Sequence, residues 1–270
     1  MRKKSSGFTI VEVSLFLAIT GLLFLSVTIG VQNSIYQQRY NDSVQSFADF
    51  LRTIYDEVLN IQSISSGRHE RAIYGKLLSF DKSVTDDKQV IRAYDVIGMA
   101  GNKTEELNAS DTLSLLKELN ADVIFREAAD QPYKLTGIID TYEPNWGARI
   151  QTTGQNPLQM YEGVILIVRD PKSGTVRTLV AVDDVAKEIN AKLANVSETM
   201  VDGGEERQLL TDHLAVGMFE RKRVDFCINP DGMNENHRRT DVRIIKGATN
   251  SSGVEIVGLD DDGPEGNACN

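Results

Sequence analysis

One carboxylate is conspicuous for its surroundings. From Phe8 to Val31 the chain is apolar, and Glu12 is the only charged side chain in those 24 residues. A carboxylate in hydrocarbon must be paired, protonated or drawn to the water boundary, because its desolvation is costly. The chemistry Glu12 offers is therefore an ion pair with a cation brought from outside the helix. Removing one member of such a buried pair costs about 3–5 kcal/mol. In an isolated chain, a Glu12 solvated among lipid headgroups is the alternative. Two weaker constellations lie near the C-terminus. Asp260, Asp261 and Asp262 with Glu265 offer oxygen ligands to Ca²⁺, but without EF-hand spacing, and a charge run is more often a solvated tail. His237, Arg238 and Arg239, with Arg243 and the run Arg221-Lys222-Arg223, offer a basic patch for nucleic acid or another anionic surface. The net charge of −10 and the absence of interleaved aromatics argue against nucleic acid.

The element that positions Glu12 is long enough to cross about 30 Å of hydrocarbon as a helix. Arg2, Lys3 and Lys4 precede it, which keeps the N-terminus cytoplasmic and sends the remainder outward. A secretory signal would have a shorter apolar core followed by a small-x-small cleavage site, and no such site follows Val31. Gly7 lies before the apolar run, so cleavage there would leave the hydrophobic segment on the mature chain.

Gly7-Phe8-Thr9-Ile10-Val11-Glu12, behind a short basic leader and ahead of an apolar run of about twenty residues, resembles the type IV prepilin motif. Type IV pilins and the pseudopilins of type II secretion share it. The resemblance is strong over residues 1–35 and weak elsewhere. It implies that prepilin peptidase cuts between Gly7 and Phe8 and that the new amino group of Phe8 is N-methylated. It further implies that Glu12 pairs with the N-terminal amine of a neighbouring subunit. The implied partners are other pilin or pseudopilin subunits, the peptidase/methyltransferase, an inner-membrane assembly platform and the membrane itself. The implied location is a single-pass membrane protein with a cytoplasmic N-terminus, then an extracytoplasmic or cell-surface filament. Gly21 and Gly30 fall in the stretch where related pilins loosen their helix, but this chain has no proline before Pro132. Either Gly21 weakens the helix by about 1 kcal/mol relative to Ala, or it permits close helix contact.

Beyond Val31 the residues Tyr36, Tyr40, Val44, Phe47, Leu51, Ile54, Val58 and Ile61 recur at intervals of three and four. That spacing predicts one continuous helix over 8–62, with an apolar stripe that packs under a soluble domain. The domains are then a leader (1–7), a membrane or assembly half of the helix (8–31), an amphipathic half (32–64) and a β-rich ectodomain (65–270). Predicted strands are Ala72–Phe80, Gln89–Ile97, Asp122–Glu127 and Tyr133–Thr141. A hairpin of Gly163–Arg169 and Thr175–Val182 flanks Asp170-Pro171-Lys172-Ser173-Gly174. A second unit is Arg223–Asn229, Thr240–Lys246 and Gly253–Leu259. Helices are expected over Ser110–Leu119, capped by Ser110 or Asp111, and over Asp183–Val196, within a segment that reads as an insertion ending near Gly204. Arg207–Phe219 is ambiguous. The fold class is α+β: a long N-terminal helix on an antiparallel β head, the pilin layout. The terminal β unit is loosely similar to the closing sheet of H-type minor pseudopilins.

Cys227 and Cys269 would face an oxidising compartment, where pairing is favoured, and related pilins often carry a C-terminal disulfide. A bond would tie down the penultimate residue. Two unpaired thiols are the alternative. Loss of Arg2, Lys3 and Lys4 with the leader takes the net charge from −10 to −13, which favours solubility. Some pseudopilins bind Ca²⁺; otherwise no cofactor is implied. Enzyme activity is not expected. The three His residues, 69, 213 and 237, have no paired metal spacing, and no P-loop, dinucleotide fingerprint or G-x-S-x-G elbow occurs. The expected function is a structural subunit, a minor pilin or pseudopilin. The rival is a filament-tip subunit that binds DNA or a surface through the His237–Arg243 cluster.

Overall fold

The computed structural model describes residues 9–60, 71–82, 89–99, 111–125, 133–135, 138–152, 160–195, 199–200, 208–229, 240–257 and 269. Its elements begin with a helix, α1 (Ile10–Leu59), followed by strands β1 (Arg71–Lys82) and β2 (Gln89–Met99). Then come α2 (Thr112–Glu118), β3 (Ile124–Phe125), β4 (Tyr133–Leu135), β5 (Ile138–Tyr142) and β6 (Arg149–Thr152). The central hairpin is β7 (Gly163–Arg169) and β8 (Val176–Ala181), and it leads into α3 (Asp183–Asn195) and β9 (Thr199–Met200). The chain closes with β10 (Phe219–Glu220), β11 (Val224–Asn229), β12 (Thr240–Ile244) and β13 (Val254–Val257). The architecture is α+β, as expected. The chain divides into two units, Met1–Asp42 and Ser43–Asn270, and α1 runs through the boundary.

Within the second unit, six strands form an antiparallel sheet in the order β10-β8-β7-β1-β2-β5. A four-stranded sheet runs β13-β12-β11-β6, and a small one runs β3-β4-β9. Alternation along β1 assigns its faces. Leu77 joins a core with Leu113 and Leu116 of α2, Val185 and Ile189 of α3, and Leu209, Leu210 and Leu214. On the opposite face, Lys76 reaches Glu57 of α1 and Phe80 stacks on Phe226 of β11, with ring centroids 5.3 Å apart. Phe226 also meets Phe47 of α1 edge-on at 5.3 Å. Residues 43–59 of α1 are thus packed in an aromatic core between the two larger sheets, with Phe47, Ala48, Leu51, Ile54, Tyr55 and Val58 fully buried.

The stripe expected from Tyr36 onward is buried only from Val44, since Tyr36 is 51% exposed. Ile61, its last member, lies outside the described residues. At the start of the buried stretch the Ser43 hydroxyl donates to Asn145 O (2.9 Å), and the Asn145 amide donates to the Ser46 hydroxyl (3.2 Å). This clamps a short 3₁₀ turn to α1. Its middle residue, Trp146, is 58% exposed and left-handed (φ 58°, ψ 27°). Gly75 has a clear steric duty at the bulge in the β1–β2 pairing, where it also lies in register with Val168 of β7. A Cβ there would collide with the Ile167 carbonyl and the Val168 backbone.

Several sequence-derived elements shift. Asp111 is the N-cap of α2, its carboxylate accepting from Ser114 N at 3.0 Å. Tyr133–Thr141 is not one strand: β4 pairs with β3 and β9, whereas β5 pairs with β2 at the edge of the large sheet. Arg207–Phe219 resolves, over its described part, into a 3₁₀ turn at Thr211–His213 and the start of β10.

Candidate functional site

Thr9 is the first described residue, and it opens α1 with a reciprocal cap. The Glu12 carboxylate accepts from Thr9 N (2.8 Å) and from the Thr9 hydroxyl (2.9 Å), while Glu12 N donates to Thr9 Oγ1 at 3.3 Å. This is a capping box, Thr-x-x-Glu, in which two otherwise orphaned donors of the first turn are satisfied. The spacing Thr9-Ile10-Val11-Glu12 carries that signal in the sequence, and it gives a local role to a carboxylate read above as an intersubunit partner or a group solvated among lipid headgroups. Gly7 and Phe8 lie outside the described residues.

Behind the cap the helix is apolar on every side. None of its most apolar 18-residue stretch is buried, and Phe16, Leu17, Leu22, Leu23 and Phe24 are all exposed. The hydroxyls of this stretch are turned inward on the helix itself. Ser14 donates to Ile10 O (2.7 Å), Thr20 to Phe16 O (2.7 Å), Ser26 to Leu23 O (2.8 Å) and Thr28 to Phe24 O (2.8 Å). A surface built this way offers hydrocarbon rather than hydrogen bonds, which suits a medium without water. By length and composition α1 can cross a membrane. A Cβ at Gly21 or Gly30 would meet nothing within 4 Å, so neither glycine is required by packing within the chain, and α1 continues unbroken through both.

The second region is the outer face of the four-stranded sheet. Cys227 and Cys269 form the expected disulfide, with Cα atoms 5.4 Å apart. Cys227 sits on β11 opposite Asp241 of β12 and Gln151 of β6, both buried. Arg243 lies two residues along β12 from Asp241, in register with Asp225 of β11. Its side chain is 4% exposed, and its guanidinium donates to Asp225 Oδ1 (2.7 Å) and Asp241 Oδ2 (2.9 Å). Asp225 also accepts from Arg223 Nε at 2.9 Å. Arg243 is therefore an internal strut of the sheet and unavailable to an external ligand. The rest of that cluster, His237, Arg238 and Arg239, lies outside the described residues, as do Asp260, Asp261, Asp262 and Glu265. Among the described residues no three His, Cys, Asp or Glu side chains gather to hold a metal.

Two buried charge sites escaped the sequence reading. Lys76, the one charged residue within Tyr74–Phe80 of β1, reaches Glu57 Oε2 of α1 (2.9 Å) and Asp95 Oδ1 of β2 (3.2 Å). Burial alone would lower the lysine, but its two carboxylates outweigh that and raise it, while burial pushes Asp95 up. The charge within Tyr74–Phe80 is the available sequence signal. Asp122 is 4% exposed and gathers the N–H groups of Val123, Ile124, Leu209, Leu210 and Thr211 together with the Thr211 hydroxyl. Burial pushes its carboxyl upward against the pull of those donors. Both sites fix architecture: one holds α1 to the large sheet, and the other holds segment 209–211 to the corner before β3.

No family model, no curated protein and no solved structure matches the chain.

Proposed function

We propose that the chain is a minor pilin or pseudopilin, cut after Gly7 by prepilin peptidase and assembled into a filament through α1. The observation that carries this reading is a helix, opened by Thr9 and Glu12, whose most apolar stretch is wholly exposed and whose residues from Val44 to Val58 lie in the core of an antiparallel β head. Burying one Leu or Phe of that surface is worth about 1.5–3 kcal/mol, so lipid before assembly and neighbouring helices afterwards would both hold it strongly. Glu12 sets the register by pairing with the amino group of Phe8 on the next subunit. The buried disulfide-linked sheet suits an extracytoplasmic head. The burial of Arg243 removes one member of the basic cluster on which a DNA- or surface-binding tip would depend.

Intact mass of the protein from cells that have prepilin peptidase tests the proposal, with Gly7→Ala as the control. The expected result is a wild-type mass that lacks residues 1–7 and gains one methyl group, beside an unprocessed variant. A full-length, unmodified wild-type mass would overturn it and leave α1 as an anchor alone.

A further inference from the structure

Asn-x-Ser/Thr, with x other than Pro, is the acceptor pattern for transfer of a saccharide to an asparagine amide in exported chains. It occurs here at Asn41, Asn102, Asn108, Asn195 and Asn250. The structure separates them. Asn41 lies inside α1, and the hydroxyl two residues on, that of Ser43, is buried and donates to Asn145 O at 2.9 Å. Asn195 is the last residue of α3. Asn102 and Asn108 lie outside the described residues.

Asn250 sits instead in the loop that joins β12 to β13, closed at its base by Ile245 N donating to Gly253 O at 3.0 Å. Asn250 and Ser252 are exposed, as are Lys246, Gly247 and Thr249 before them. The surroundings are open, because a Cβ at Gly247 would meet nothing within 4 Å. The Asn250 side chain is nonetheless held in one orientation. Its oxygen accepts from Ser252 N (3.0 Å) and from the Ser252 hydroxyl (2.5 Å). A backbone N–H can only donate, so the atom facing it is Oδ1, and Nδ2 points away from the turn. No described residue accepts from Nδ2. Two donors on Oδ1 draw electron density from the amide and make its N–H more acidic, which favours reaction at nitrogen with loss of a proton.

We propose that Asn250 is a glycosylation site whose donor is a saccharide carried on a polyprenyl pyrophosphate. Nδ2 forms a bond to C1 of the sugar, and the C1–O bond to the pyrophosphate breaks. The amide proton passes to a base of the transferase, and polyprenyl pyrophosphate leaves; nothing is oxidised or reduced. The Ser252 hydroxyl is a positioning group, holding the amide with Nδ2 outward. The proposal rests on the extracytoplasmic head of the filament reading and on nothing else in it, since neither cleavage after Gly7 nor assembly through α1 is needed.

Trypsin releases residues 247–270 as one peptide, because no Lys or Arg follows Lys246. The test is the mass of that peptide, after reduction, in full-length protein from its own cells. A saccharide mass is expected on 247–270, lost completely in Asn250→Gln and in Ser252→Ala and retained in Ser252→Thr. An unreduced digest that still links Cys227 to Cys269 shows that each variant has folded. An unmodified wild-type peptide would overturn the proposal. So would a saccharide that persists in Asn250→Gln, which would place the sugar on a hydroxyl. Processing after Gly7 is read from the N-terminal peptide of the same digest, so failure of the filament reading and failure of glycosylation are seen separately.

Discussion

Leu17 and Leu51 are the same side chain on the same helix, yet one is 64% exposed and the other fully buried. The contrast extends to their neighbours. Ile10–Val31 is bare apolar surface whose hydroxyls are satisfied within the helix, whereas Val44–Val58 shares a core with Phe80, Tyr142 and Phe226. One half of α1 has already spent its hydrophobic free energy inside the chain. The other still holds it, and a contiguous apolar surface of that size marks an interaction with lipid or with another chain. The lesson is that secondary structure does not assign a role here; the identity of the covering partner does.

The sharpest way to break the contrast is to loosen the sheet that covers the buried half. In Cys227→Ser/Cys269→Ser, the 43-residue loop between them is no longer closed, and loop-entropy estimates place the loss of head stability at about 4 kcal/mol. Hydrogen exchange should then quicken at Phe47–Val58 and stay unchanged at Ile10–Val31. Equal acceleration in both halves would erase the distinction.

A more local comparison pairs two truncations. Leu51→Ala should cost the head about 3 kcal/mol through lost burial and a residual cavity. Leu17→Ala should leave head unfolding within about 0.5 kcal/mol of wild type, because it touches nothing in the core. Urea denaturation followed by far-UV circular dichroism separates the two, and a comparable loss in both would contradict the division.

The smallest effect comes from pH, and it acts on the head alone. Burial pushes the Asp170 carboxyl up, but the N–H groups of Ser173 and Lys172 and the Thr112 hydroxyl pull it further down, below its ordinary 3.8. Bonding to Ser114 likewise holds Asp111 below that value. A carboxyl lowered on folding contributes stability that is complete above about 3.8 and lost as pH falls through the lowered value. Asp95 and Asp122, pushed up by burial, act in the opposite direction, so the comparison with Asp170→Asn isolates the effect: below about pH 4 the urea midpoint of wild type should fall relative to that of Asp170→Asn. A difference between the two that stays constant from about pH 6 to about pH 2.5 would overturn the assignment.

Local chemistry was legible in the sequence. The hairpin of β7 and β8 announced itself by β-branched runs around Asp170-Pro171-Lys172-Ser173-Gly174, and α3 by Val185, Ile189 and Leu193 at intervals of four. Illegible were the features whose partners are remote. Segment 209–211 turns as it does because Asp122, more than eighty residues earlier, collects its N–H groups. β6 is a strand only because Cys227 and Ile228 lie beside Gln151 and Ile150, and four residues with little apolar alternation carry no signal of that pairing. Arg243 reads as part of a basic patch until the register sets it opposite Asp225. The capping box at the N-terminus was legible for the same local reason as the hairpin: Thr9 and Glu12 are three apart and bond to each other.

The clamped turn at residues 145–147 has a practical consequence. The chain contains one tryptophan, Trp146, fixed to the beginning of the buried half of α1 and more than half open to water. Its fluorescence is therefore an intrinsic, single-site optical probe that needs no label. Emission should already lie toward the red in the native protein, so melting of the head should change its anisotropy and quencher access more than its colour. A blue shift during a titration would report something settling over that turn, and the same spectrum would locate the event to one residue.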